Sequence, residues 1–575
     1  MRAWIMVLFF LAAPVAAQQY LTVGPGPVPS LPLSGGTVTG TITLNGLPAG
    51  NLIGAAPQGY TLVGTRTGWP TYPQNGYGLN QASMSRAVVL FPAGASSISL
   101  CYYGGGRASG GTPVSTWALG GVTSTGGTLY AVNDTVVLAA TAANRASTLR
   151  VTQVAAGVPT KWTIDDPGWY YTQLPDATAQ ASTSGTGTGA TFTFTWSGYA
   201  YGVTASIEPV WGTQTLSGTN ALIPVTYNLG RALGTTIYNN LDIMVPPSQI
   251  VCSDPVAANI PVGGQVGVRQ YARGVSMGMR GGVAIVAGAA VSDGWSLVTD
   301  GSTNPSNTQL APATNLITNN SGFINSSFVE PLMILGRPKV AKPTLCFVGD
   351  SISVGANGSV PATNGIGTDA GDTNAFRGWM ERSTLGAYPF TNFGVGGDAY
   401  TTTFATIGQF QAEINAIARS GCSTVVIELS VNDISLQKTA AQILAYEQQF
   451  IQGLRAIPTV RKIIGSTTVP YTLGCSDINA GTGCGGTRAG YCTNLNLRNT
   501  DLRNGLLASG KYAAGAGSSY ASLFDAVIDF GATIENPTGS CLWQAGAIGD
   551  GLHPSTAGHI LMATTANAIL VGNAQ

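Results

Sequence analysis

The chain has 575 residues and carries 25 Lys and Arg against 25 Asp and Glu, so its formal charge is zero. Charged residues make up 9%, against about 25% in ordinary soluble domains, while 44% are hydrophobic and 78 are glycine. The composition excludes a disordered chain, the length excludes a single core, and the absence of a basic cluster excludes steering toward nucleic acid or acidic lipid.

Arg2 precedes an apolar run from Trp4 to Ala13, followed by Pro14, Val15, Ala16 and Ala17. A positive start, a short apolar stretch and small residues read as a secretory signal over 1–17, cut after Ala17. The competing reading, a membrane anchor, needs about 20 apolar residues, and no later segment is long enough to span a bilayer. The mature chain is therefore expected to be secreted, periplasmic or on the cell surface, where its eight cysteines can form disulfides. Cys475, Cys484, Cys492 and Cys541 crowd one loop-rich region, which predicts one or two bridges there. Cys346 sits inside an apolar run and reads as a buried thiol. With two histidines and no Cys-x-x-Cys pair, neither a metal site nor a cofactor is expected.

Residues 18–80 are rich in Pro, Gly and Thr, and 34–44 alternates apolar and polar residues between glycines. The stretch reads as a short β stalk or linker, and it resembles glycine-threonine segments of phage tail and surface-fibre proteins. Strand-like runs fill 81–340, such as 88–91, 98–103, 221–227 and 265–271. Short strands with frequent turn signals predict a β-sandwich. Within it, 126–197 reads as an inserted small β module, because 191–196 alternates as a half-buried strand does. Residues 336–343 read as the linker into the next domain.

From 341 to 575 the texture changes. Helical spacing at Phe404, Ile407, Phe410, Ile414 and Ile417 alternates with an apolar strand at 424–429, and a second helix holds Ile443, Leu444, Phe450, Ile451 and Leu454. Strands follow at 462–465 and 526–529, then a last helix over about 556–570. Such alternation predicts a three-layer α/β/α domain around a parallel sheet, with its working groups beyond the carboxyl ends of the strands.

Four short pieces fall at those ends. Gly349, Asp350 and Ser351 end an apolar run; residues 392–398 hold Gly397; Ser430 to Asp433 hold Asn432; and Asp550 precedes His553 by three residues. These types suit acyl transfer. A serine hydroxyl is a weak nucleophile and needs a base within hydrogen-bond reach, itself oriented by an acceptor. The base is His553 or His559, and His559 lies among apolar residues of the last helix, where a structural role is expected. The Ser351 and Gly397 N–H groups and the Asn432 amide are candidate donors to an oxyanion. Singly, each piece reads as a turn or a cap.

Together and in this order, the pieces resemble the four motif blocks of the SGNH hydrolase superfamily, the GDSL-type esterases and lipases. The resemblance covers 341–575. It implies Ser351 as nucleophile, Asp550 and His553 as acid and base, and Ser351, Gly397 and Asn432 as the oxyanion hole. Ser430 departs from it, since the family usually has glycine there. The region before 341 is similar to the β-sandwich that some bacterial secreted members carry.

Two further motifs are weaker. Ser276 fits G-x-S-x-G but stands among β-like residues, and Gly481, Gly483 and Gly486 fit G-x-G-x-x-G with no strand leading in. The reading is a secreted serine esterase acting on an ester substrate, with acetylated polysaccharide favoured. The alternatives are a surface or fibre-type binding protein with a weakly active hydrolase domain, and a lipolytic enzyme.

Overall fold

The computed structural model describes residues 59–573, apart from 66, 69–71, 74–80, 105–115, 139–145, 167, 169, 171–172, 200, 211–222, 227–242, 246–249, 275–277, 280–293, 300–329, 356–377, 404–406 and 473–487. The signal-like 1–17, most of 18–80, Ser276, the 481–486 glycines, Cys475 and Cys484 lie outside the described residues. The chain divides into two units, Met1–Leu47 and Pro48–Gln575, and the described residues belong to the second.

Near the C-terminus an all-parallel sheet runs in the order Thr67–Gly68, Phe390–Asn392, Leu345–Gly349, Thr424–Glu428, Lys462–Ser466, Ala526–Ile528. Its central strands Leu345–Gly349 and Thr424–Glu428 are near-continuous apolar runs because both faces are buried. Successive residues turn to opposite faces. Cys346, Val348, Val425, Ile427, Ile463 and Val527 join one core, with Ile414, Ile417, Ile443, Phe450 and Leu454 from the helices Ile407–Ser420 and Ala440–Arg455. Leu345, Phe347, Val426, Ile464, Ala526 and Ile528 join the other, with Trp379 and Met380 of Gly378–Ser383 and Met562, Ala566 and Leu570 of Thr556–Asn573. This is the expected three-layer α/β architecture.

The preceding region is mostly strands, also as expected. One antiparallel sheet runs Thr61–Leu62, Met333–Pro338, Ala95–Tyr103, Ile250–Cys252, with Val256–Ile260 also on Ala95–Tyr103. A second runs Ile223–Pro224, Tyr201–Val210, Gly264–Gly274, Gln81–Phe91, Gly294–Thr299. The two sheets share a core of Val89, Phe91, Ile98, Leu100, Tyr102, Ile207, Val266, Val268 and Ile334. The alternate residues Cys101, Met333 and Leu335 instead join the core on one face of the parallel sheet. The first sheet is thus buried on both sides, between the second sheet and the α/β layers.

The joint between these regions differs from the expected linkers. Thr61 and Leu62 pair with Gly336 and Leu335, while Thr67 and Gly68 pair with Thr391 and Asn392. A single stretch inside the expected stalk is therefore stitched into both sheets. Met333–Pro338 is a strand, so the linker expected at 336–343 begins only after it.

The inserted β module is a six-stranded antiparallel sheet among the described residues, running Thr116–Thr128, Thr188–Tyr199, Thr178–Thr183, Thr135–Leu138, Thr148–Ala155, Val158–Asp166. It starts ten residues earlier than the sequence suggests, because the glycine-rich 116–128 pairs along its length with Thr188–Tyr199.

Three disulfides are present among the described residues: Cys101–Cys252, Cys346–Cys422 and Cys492–Cys541. The second corrects the reading of Cys346 as a thiol. Cys422 enters Thr424–Glu428, the neighbour of Leu345–Gly349, and parallel pairing brings their starts together with a Cα–Cα distance of 5.8 Å.

Candidate active site

Leu345–Gly349 lies between two neighbours, and its carboxyl end opens into the short helix Ser351–Val354. Glycine is required at 349, because a Cβ there would collide with Ser353 Oγ and the Glu428 carbonyl oxygen. Asp350 caps the helix, its Oδ1 accepting the Ile352 N–H at 2.8 Å. Ser351 is thereby the first residue past the sheet rim, and it remains partly exposed.

His553 Nε2 lies 2.8 Å from Ser351 Oγ, and His553 Nδ1 lies 2.8 Å from Asp550 Oδ2. Asp550 Oδ1 accepts the N–H groups of Leu552 and His553 at 2.9 and 2.7 Å. The turn reading and the catalytic reading of this segment are therefore compatible, since one carboxylate closes the turn with one oxygen and holds the imidazole with the other. Partial burial works against the Asp550 charge, but the hydrogen bonds from His553 and the two N–H groups hold its carboxyl down at about 2. Thr472 donates its N–H to the Gly551 carbonyl at 2.8 Å and pins the turn against the segment after Lys462–Ser466. His559 is buried and accepts the Trp379 N–H at 3.2 Å, away from this chain of contacts.

Gly397 is exposed, with φ +82° and open space where a Cβ would stand. Its loop is held to Leu345–Gly349 by Val395 N–H to Gly349 O at 2.9 Å, and Asn392 Nδ2 donates to Ser353 O at 2.9 Å. Asn432 reaches the same place from the other side. Its amide nitrogen donates to the Asp398 carbonyl at 2.8 Å and to Asp350 Oδ2 at 3.2 Å. The five residues singled out from the sequence converge, but the Asn432 amide is engaged with protein acceptors.

The sequence reading missed the buried polar layer underneath. Asp433 accepts the Tyr400 and Thr401 N–H groups at 2.9 and 2.8 Å, tying the Asn432 segment to the Gly397 loop. Tyr400 donates its hydroxyl to Glu447, which pairs with the buried Arg498 at 3.0 Å. Ser353 Oγ donates to Glu428 Oε2 at 2.7 Å. A glutamate closing the apolar run 424–428 was the one visible signal.

Ser430 adopts φ +104°, ψ −20°, where glycine carries no penalty. Its hydroxyl bonds Thr468 Oγ1 at 2.6 Å, and Thr468 Oγ1 accepts from Arg498 Nη1 at 2.9 Å. Ser430→Ala and Ser430→Gly both lose that bond, but only glycine relieves the backbone. In urea denaturation the glycine variant is expected to be the more stable by about 1 kcal/mol.

Residues 345–565 match the family model described as GDSL-like lipase/acylhydrolase. Among solved structures, the chain is similar to a member of the lipolytic G-D-S-L family from Veillonella parvula, at 18% identity over 40% of this chain and 99% of that one, with a TM-score of 0.27. It is also similar to a GDSL-like lipase from Bacteroides thetaiotaomicron, at 10% identity over 39% of this chain and 89% of that one, with a TM-score of 0.26. No curated protein matches it.

Proposed function

We propose, from the premise that the C-terminal domain belongs to the GDSL-type hydrolases of the SGNH superfamily, that the chain is a secreted serine esterase using Ser351, His553 and Asp550. The observation that carries this reading is the unbroken line from Ser351 Oγ to His553 to Asp550, two contacts of 2.8 Å. Ser351 Oγ attacks the ester carbonyl carbon while His553 Nε2 takes its proton. Asp550 stays ionised and stabilises the imidazolium. The oxyanion is received by the N–H groups of Ser351 and Gly397 and by the Asn432 amide. Collapse expels the alcohol, which takes the proton from His553. Water, activated by the same imidazole, then releases the carboxylic acid and restores Ser351.

The favoured substrate is an O-acetyl ester of a polysaccharide. Support comes from the architecture, since a β region joined by strand pairing to the α/β layer suits a reaction on a polymer. Three disulfides among the described residues favour an oxidising compartment, in keeping with the signal-like 1–17.

The test is hydrolysis of p-nitrophenyl acetate, butyrate and octanoate and of acetylated polysaccharide by the protein beginning at Gln18. Labelling with a fluorophosphonate, mapped by mass spectrometry, accompanies it. Labelling at Ser351, acetate release from the polymer and a steep fall with acyl length are expected. A rise in rate with acyl length would turn the reading toward lipolysis. No hydrolysis and no label would turn it toward a binding protein.

A further inference from the structure

Beside Ser351 the structure buries two neighbouring carboxyl groups. Asp350 and Glu428 are 0% and 1% exposed. Glu428 pairs in register with Gly349, the residue before Asp350, on the neighbouring strand. Asp350 Oδ1 is taken by the Ile352 N–H and Glu428 Oε2 by the Ser353 hydroxyl. Glu428 Oε1 is buried and meets no donor among the described residues. Asp350 Oδ2 holds the Asn432 amide, the group the proposed mechanism needs at the oxyanion.

We propose that Asp350 and Glu428 are positioning residues that share one proton, and that this proton lets the Asn432 amide leave Asp350 for the oxyanion. The inference rests on the esterase reading above.

Two facing carboxylates in a dry site cannot both ionise readily, and a proton between them supplies the donor that Glu428 Oε1 lacks. With the proton in place the pair carries one negative charge, and Asp350 is a weak acceptor at the long distance of 3.2 Å. The amide can then swing to the substrate while its second N–H stays on Asp398 O. When the proton leaves, the pair carries two charges. Asp350 then grips the Asn432 amide, and the doubled charge also opposes the nearby oxyanion.

The surroundings set where this happens. Burial pushes both carboxyls up, and Glu428 stands at about 7. Asp398 and Asp433 add repulsion at Asp350, while the Ser353 hydroxyl, Arg498 and His553 favour ionisation of Glu428. The switch therefore lies within the working range of an esterase. His553 acts as base in its neutral form, so an alkaline fall belongs to the carboxyl pair.

The test compares kcat and KM from about pH 5 to pH 9 for wild type, Glu428→Gln and Asp350→Asn on p-nitrophenyl acetate, with Ser351→Ala as control. Either amide variant holds the pair to at most one negative charge at any pH. In wild type kcat is expected to fall at least about fivefold between roughly pH 6 and pH 9 with KM nearly constant. In both variants that fall should be absent, with kcat at the lower pH within about threefold of wild type. A group that merely supported the fold would lower activity without removing the alkaline limb. An unchanged limb in a folded variant would overturn the inference and leave the esterase reading intact; if one variant fails to fold, the other decides. Hydrolysis persisting in Ser351→Ala would overturn both.

Discussion

Ser351→Ala and His553→Ala are each expected to lower kcat by roughly 10⁴- to 10⁶-fold, and the double variant should be no slower than the worse of the two. On the proposed esterase mechanism the pair acts as one device. Without His553 the Ser351 proton has nowhere to go, and without Ser351 the imidazole has nothing to activate. Residual turnover would come from binding and from the oxyanion donors alone. KM should change little, because neither side chain holds the ester in its ground state. Thermal unfolding should also stay nearly unchanged, since both residues sit partly exposed at the sheet rim and neither belongs to a core cluster. Steady-state kinetics on a short-chain ester, with the double variant as the deciding sample, checks this. Additive losses would mean that the two residues do not work on the same proton.

The parts legible in the sequence are those written in consecutive residues. Residues 424–429 read as a strand because burial on both faces demands a near-continuous apolar run, and that same rule located the runs at 345–349 and 462–465, where the structure has Thr424–Glu428, Leu345–Gly349 and Lys462–Ser466. The Asp550 to His553 segment was legible because its geometry is local, a turn of four residues closed by its own carboxylate. What escaped depends on partners distant in the chain. Phe390–Asn392 and Thr67–Gly68 are too short to form a pattern and exist only because the parallel sheet offers them an edge. Arg488–Arg503 carries so many polar side chains that no apolar stripe stands out, yet Leu495 and Leu502 reach the core. Cys346 and Cys422 are 76 residues apart and are joined only through neighbouring strands. Glu428, Asp433 and Arg498 look like surface charges until tertiary packing closes over them. That layer decides how the legible motif residues are held.

The largest expected loss of stability belongs to that layer. Arg498 is 1% exposed, donates to Ser466 O and Thr468 Oγ1, pairs with Glu447 at 3.0 Å, and lies over the Tyr520 ring at 5.5 Å. Arg498→Ala removes all of these and leaves Glu447 buried with the Tyr400 hydroxyl as its remaining partner among these contacts. Breaking a buried pair in this way costs about 3–5 kcal/mol, most of it the penalty of the stranded charge. That origin makes the loss depend on pH in a defined direction. Burial already raises the Glu447 carboxyl, and Arg498 opposes the rise. Without the arginine the folded-state value climbs further above that of the unfolded chain. A carboxyl raised on folding contributes stability that is fully present below its unfolded value and is lost as pH rises through its folded value. The variant should therefore lie closest to wild type near about pH 4 and fall away steadily toward pH 8. Glu447→Gln in the same background should recover part of the loss at the higher pH, because an amide carries no charge to strand. Urea titrations of the three proteins across that range supply the check. A destabilisation equal at every pH would assign the loss to the missing arginine contacts rather than to Glu447. Activity should fall with stability, since Glu447 anchors Tyr400, whose N–H joins the Gly397 loop to Asp433 beside Asn432.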